Sequence, residues 1–134
     1  MSKHETWRTR KYWQSVGGLL IEEFRVTKES KSPDQENRYI DGVIVLNEPN
    51  ALHNKNTYDL SGKDVIVVQT KRGRIGMYLL GQTFFSAQLV EMHNPRSIKA
   101  VAICGRNDFI MDELAKKYEV EIIVISDESR TVVQ

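Results

Sequence analysis

Three short segments of the chain are apolar at consecutive positions: "DVIVVQTK" at 64–71, "SIKAVAICG" at 97–105 and "EIIVIS" at 121–126. A strand with one face in water alternates apolar and polar residues, whereas a strand covered on both faces reads as a continuous run. The runs are separated by stretches with helical spacing. From about 75 to 92, Met77, Leu80, Phe84, Gln88 and Glu91 make one stripe and Leu79, Thr83, Ala87 and Val90 another, with Asn94-Pro95 closing the segment. "NDFIMDELAKKYEV" follows the second run and predicts a helix capped by Asn107 or Asp108. Strand–helix–strand crossovers of this kind place the three strands parallel, with right-handed connections.

The first half of the chain predicts a different pattern. Residues 5–16 form a helix with Trp7, Tyr12, Trp13 and Val16 roughly on one side, stopped by Gly17-Gly18. "LLIEEFRVT" at 19–27 and a segment at about 38–46 read as strands joined by the polar turn "KESKSPDQEN". The asparagine-rich segment 47–63 is a long connection with no regular structure of its own, a length often associated with function. The resulting order, α-β-β-β-α-β-α-β, predicts an α/β fold with a central mixed β-sheet flanked by helices on both sides. A length of 134 residues suits a single domain, 1–134, with a frayed tail at 127–134.

Composition narrows the functional classes. The net charge of +1 provides no overall field toward nucleic acid, so an anionic partner must meet a local patch. No apolar run reaches the roughly 18 residues of a membrane span, and the polar, aromatic start "MSKHETWRTRKYW" does not read as a signal peptide. The single cysteine, Cys104, excludes an internal disulfide and fits a cytoplasmic setting. Its place at the end of an apolar strand makes it a packing residue. His4, His53 and His93 have no zinc-like spacing.

Polar residues inside the predicted sheet carry the chemistry. Gln69 and Lys71 share a face of their strand, and Asp41 lies mid-strand with Tyr39, Val43 and Val45 on its side. Pairing of these two strands would bring Asp41 opposite Gln69. A mid-strand aspartate is costly without partners. A salt bridge to Lys71 or Arg38 is one compensation. The other is a divalent cation, since a carboxylate and an amide oxygen are hard ligands suited to Mg²⁺.

"IDGVIV" followed by an apolar strand ending "QTK" resembles the PD-(D/E)XK nuclease superfamily, which includes restriction endonucleases and Holliday-junction resolvases. The resemblance implies a restriction endonuclease-like αβββαβ core over 5–104, with an added helix and strand at 105–126. It implies Mg²⁺-dependent (or Mn²⁺-dependent) endonuclease hydrolysis of DNA phosphodiesters. Asp41 and Lys71 match the signature, and Gln69 stands where the family usually has Glu or Asp. An acid on the first strand would complete the metal site, and Glu22 and Glu23 both qualify. Glutamine at 69 removes a negative charge, which leaves a catalytically inactive nuclease-fold domain that binds nucleic acid or a protein as the alternative.

Lys71-Arg72-Gly73-Arg74 is the densest basic cluster, so Arg72 and Arg74 are candidate phosphate contacts, with Gln82 two turns into the next helix. Arg8, Arg10 and Lys11 form a smaller basic group, and Asn50, Asn54 and Asn56 are further polar candidates. By analogy a homodimer would grip a duplex, with the aromatic first helix as its interface. A flavodoxin-like nucleotide-binding module is a rival reading, but "VQTKRGRIG" lacks the glycine spacing of a phosphate-binding loop.

Overall fold

The apolar runs form the middle of a six-stranded mixed sheet in the computed structural model, which describes residues 3–28 and 32–128, with 3–5 by backbone alone. The elements are α1 (Lys3–Val16), β1 (Leu19–Arg25), β2 (Tyr39–Val45), β3 (Ala51–Leu52), β4 (Asp64–Thr70), α2 (Met77–Val90), β5 (Ser97–Cys104), α3 (Phe109–Lys117) and β6 (Val120–Val124). The sheet order is β3-β1-β2-β4-β5-β6. β1, β2 and β4 form an antiparallel meander, and β4, β5 and β6 are parallel. The expected frayed tail lies outside the described residues from 129 onward, as do positions 29–31 of the polar turn and the His4 side chain. Among the described residues no helix is long and apolar enough to cross a membrane.

β3 corrects the expectation that 47–63 has no regular structure. It pairs parallel with β1, with Ala51 N–H donating to Gly18 O and His53 N–H to Leu20 O. Without it the outer edge of β1 would present unpaired backbone groups. Asn50 has a local role there: its Oδ1 accepts from Gly18 N–H at 2.7 Å.

The two faces of the sheet bury separate clusters. α1 covers Leu20, Ile44, Ile66, Val68, Val101 and Ile103 with Tyr12, and Trp7 and Trp13 pack at its margin. α2 and α3 cover the other face, where Ala100, Ala102 and Cys104 of β5 meet Leu79, Leu80, Ala87 and Ala115. Both crossovers advance the same way across the sheet, so their helices fall on one face. The aromatic side of the first helix therefore packs on its own sheet. Trp13 also donates from Nε1 to Gly18 O at 2.7 Å.

Two members of the basic group on α1 are engaged within the chain. Arg8 is 1% exposed, donates from Nε to Ile125 O at 2.9 Å and pairs with Asp127. Arg10 grips Glu22 with two hydrogen bonds of 2.7 and 2.9 Å. Asp108 caps α3, accepting from the Ile110 and Met111 N–H groups, which settles the choice between Asn107 and Asp108.

α1 lies close against β2 because position 42 has no side chain. A Cβ at Gly42 would stand 2.8 Å from Thr9 Cγ2 and 3.3 Å from Leu20 Cδ1. Gly42→Ala is therefore expected to destabilise the fold by about 1–3 kcal/mol in urea unfolding.

Asp64, at the start of β4, clamps three segments. Its carboxylate accepts from Arg96, from Ser97 Oγ at 2.7 Å and from Asn47 Nδ2 at 3.1 Å. These hydrogen bonds, Arg96 first, hold its pKa well below the usual carboxylate range. A depressed folded-state pKa contributes stability above the ordinary aspartate value that is lost as pH falls through the folded value. Asp64→Asn is thus expected to flatten the pH dependence of stability below about pH 4, measured by urea titration at a series of pH values.

Candidate active site

β2 and β4 pair regularly from Val45↔Val65 to Gly42↔Val68. The next step of that register sets Asp41 against Gln69, and there the side chains replace the backbone ladder. Gln69 Oε1 accepts from Asp41 N–H at 3.2 Å, while Asp41 Oδ2 accepts from Thr70 N–H at 2.9 Å. Each strand thus satisfies a main-chain donor of the other with a side-chain oxygen, which meets the cost of placing these polar groups in the sheet. Gln69 is 1% exposed, and its Nε2 donates to Ser86 Oγ on α2 at 2.8 Å.

The inward-facing pattern of the first hairpin slips at the same level, although its pairing register is unchanged from Leu19↔Val45 to Arg25↔Tyr39. Ile21 and Phe24 share one core cluster, as do Ile40 and Val43, so two residues rather than one separate successive inward positions on both strands. This corrects the alternation that grouped Tyr39 with Val43 and Val45: Tyr39 is exposed and Ile40 is buried. The slip is absorbed at Glu23, whose φ of 50° lies in the left-handed region that non-glycine residues rarely adopt. Glu23 falls between the pairs Glu22↔Gly42 and Phe24↔Ile40, which sets it across from Asp41. Glu22 is held by Arg10 on the α1 face, whereas Gln69 reaches α2 on the other. Of the two glutamates, Glu23 lies across from Asp41 in register, whereas Glu22 is engaged by Arg10.

Lys71 turns to the same side as Gln69, its Nζ lying 5.4 Å from the centre of the Tyr78 ring on α2. Arg72 and Arg74 are exposed in the turn that follows, and Gln82 is exposed one turn beyond Tyr78. Arg106, also exposed, was missed by the sequence reading. Residues 73–75 pair with 105–106 through Gly105 N–H to Gly73 O at 2.8 Å and Ile75 N–H to Arg106 O at 2.9 Å. Gly105 permits this approach, since a Cβ there would sit 2.9 Å from Gly73 N. The available signal was positional: Arg106 follows one parallel strand as Arg72 and Arg74 follow its neighbour, and the carboxyl ends of such strands converge. α2 begins beside them at Gly76, with no side-chain cap and no acid in its first turn.

Among the described residues no group of three His, Cys, Asp or Glu side chains is arranged to hold a metal ion. The oxygen donors at the junction are the Asp41 carboxylate and the Gln69 amide, with Glu23 opposite in register. The Thr70 hydroxyl, on the neighbouring position of β4, is buried without a hydrogen-bond partner, an arrangement native proteins usually resolve with water or a ligand. No family model, curated protein or solved structure matches this chain.

Gln69→Leu preserves volume but orphans Asp41 N–H and Ser86 Oγ. It is expected to cost about 2–3 kcal/mol in chemical denaturation.

Proposed function

We propose that the chain is a metal-dependent phosphodiesterase acting on DNA, with its site at the Asp41–Gln69 junction. The observation that carries this reading is the meeting of those two side chains where β2 and β4 stop pairing. The positive φ of Glu23 adds support, because backbone strain of this kind concentrates at functional sites. Asp41, Gln69 and Glu23 would hold a hydrated Mg²⁺ or Mn²⁺, for which one or two carboxylates suffice. When bound, the cation supplies Lewis acidity toward phosphoryl oxygens.

The remaining work falls to the chain's own residues. Lys71 orients the attacking water or offsets charge on the phosphoryl oxygens, at a strand end held by Lys71 N–H to Ile103 O. Arg72, Arg74 and Arg106 contact flanking phosphates beside the uncapped start of α2. Gln82 helps position the substrate. Glu22, occupied by Arg10, braces the hairpin from behind and is not assigned a ligand role.

A second reading, a nuclease-fold domain that binds nucleic acid without cleaving it, is favoured by Gln69 itself. Its amide is neutral, and hydrogen bonds engage it at both ends.

The test is Mg²⁺- or Mn²⁺-dependent cleavage of single-stranded, duplex and branched DNA by the wild type, Asp41→Ala, Lys71→Ala and Gln69→Glu. Each alanine variant is expected to lose about 10²–10³-fold in rate. Gln69→Glu is expected to retain or raise activity, because Ser86 can rotate its hydroxyl to donate to a carboxylate. It should also show the larger Mg²⁺-induced rise in Tm. Equal cleavage by all four proteins would assign the activity to a contaminant. Binding with neither cleavage nor a metal-induced Tm shift would select the second reading.

A further inference from the structure

α2 is uncharged on both sides, and its outer side exposes Met77, Tyr78 and Phe85 together with the neutral amides of Gln82 and Gln88. Over 14 residues it carries no Asp, Glu, Lys or Arg. Leu79, Thr83, Ala87 and Val90 face the sheet, yet Met77 is 67% exposed and Phe85 65%. Large apolar side chains exposed together on one helix face commonly mark a contact surface. Here the outer face borders a groove of about 250 Å³ between α2 and α3, lined by Met77, Gly81, Phe85, Leu114 and Tyr118.

We propose that this face is the interface of a two-fold homodimer, in which α2 packs antiparallel against α2 of a second copy. Self-complementarity favours a second copy over an unrelated partner. Met77, Gly81 and Phe85 are spaced four residues apart on one stripe, with the smallest in the middle. A two-fold axis at Gly81 therefore sets Met77 of each copy against Phe85 of the other. A Cβ at Gly81 would meet nothing within 4 Å in its own chain, so the hollow is open to a residue from outside. Projection and hollow on a single surface are what an isologous contact requires. The absence of charge on α2 removes like-charge repulsion between copies, and antiparallel helix dipoles oppose one another favourably. The area is of the required order: Met77, Phe85 and Tyr118 with the neighbouring groove residues offer roughly 500 Å², about what each partner of a specific interface buries. This interface replaces the aromatic first helix as the dimer contact and holds whether or not the chain cleaves DNA.

Sedimentation velocity of the full chain without DNA tests the proposal. The wild type is expected to dimerise at micromolar or tighter affinity. Gly81→Leu, whose Cβ would meet nothing within 4 Å in its own chain, and Phe85→Glu should each weaken dimerisation by about tenfold or more. Both variants should keep the far-ultraviolet circular dichroism and cooperative melting of a folded protein. Tyr39→Ser, an exposed aromatic change elsewhere, should leave dimerisation unchanged. A wild type that stays monomeric at high concentration would overturn the proposal, since the face would then belong to another partner. A dimer that tolerates both Gly81→Leu and Phe85→Glu would overturn it by placing the contact elsewhere.

Discussion

The exchange between Asp41 and Gln69 is the hinge of this structure. On one side of it the sheet is an antiparallel meander, and on the other it is a parallel sheet built by crossovers. β4 belongs to both halves, and its last residues must satisfy β2, β5 and α2 together. A fully apolar end to β4 would leave the Asp41 amide without its acceptor once the strands part, just as the Thr70 amide depends on the Asp41 carboxylate. Gln69 meets that need and reaches Ser86 as well, locking the sheet to α2 at the level where the basic turn begins. The residue proposed as a ligand is thus also one the fold requires.

Much of the architecture was legible because burial writes itself into the sequence. Runs apolar in both parities marked β4, β5 and β6 as strands covered on two faces. The helical spacing between them required crossovers, and Gly17-Gly18, with φ of 80° and 93°, marked the end of α1. β3 was not legible. Its two residues carry no pattern, and its hydrogen bonds exist only because β1 offers an open edge beside it. The slip at Glu23 and Asp41 was hidden for a related reason: alternation assumes an unbroken pleat, and a residue with positive φ breaks that pleat without leaving a proline or glycine to announce it.

The site was legible in part. The pairing of Asp41 with Gln69 followed from counting residues along two neighbouring strands, and Lys71 followed from parity. The choice between Glu22 and Glu23 depended on the slip and on Arg10, neither of which sequence spacing reveals. Arg106 depended on two turns, far apart in sequence, lying side by side. Arg8 shows the opposite failure: an arginine that reads as surface charge is instead a buried donor to the main chain at Ile125.

The close seat of α1 on β2 has a mechanical consequence. Thr9 rests against Gly42 and Arg10 grips Glu22, so consecutive residues of one helix bear on the immediate sequence neighbours of Asp41 and Glu23. The helix thus backs the strand positions that carry both carboxylates. Anything that rocks it, whether a ligand lodged along its outer side or a substitution several turns away, would be transmitted as a small displacement of two acids whose usefulness depends on their separation.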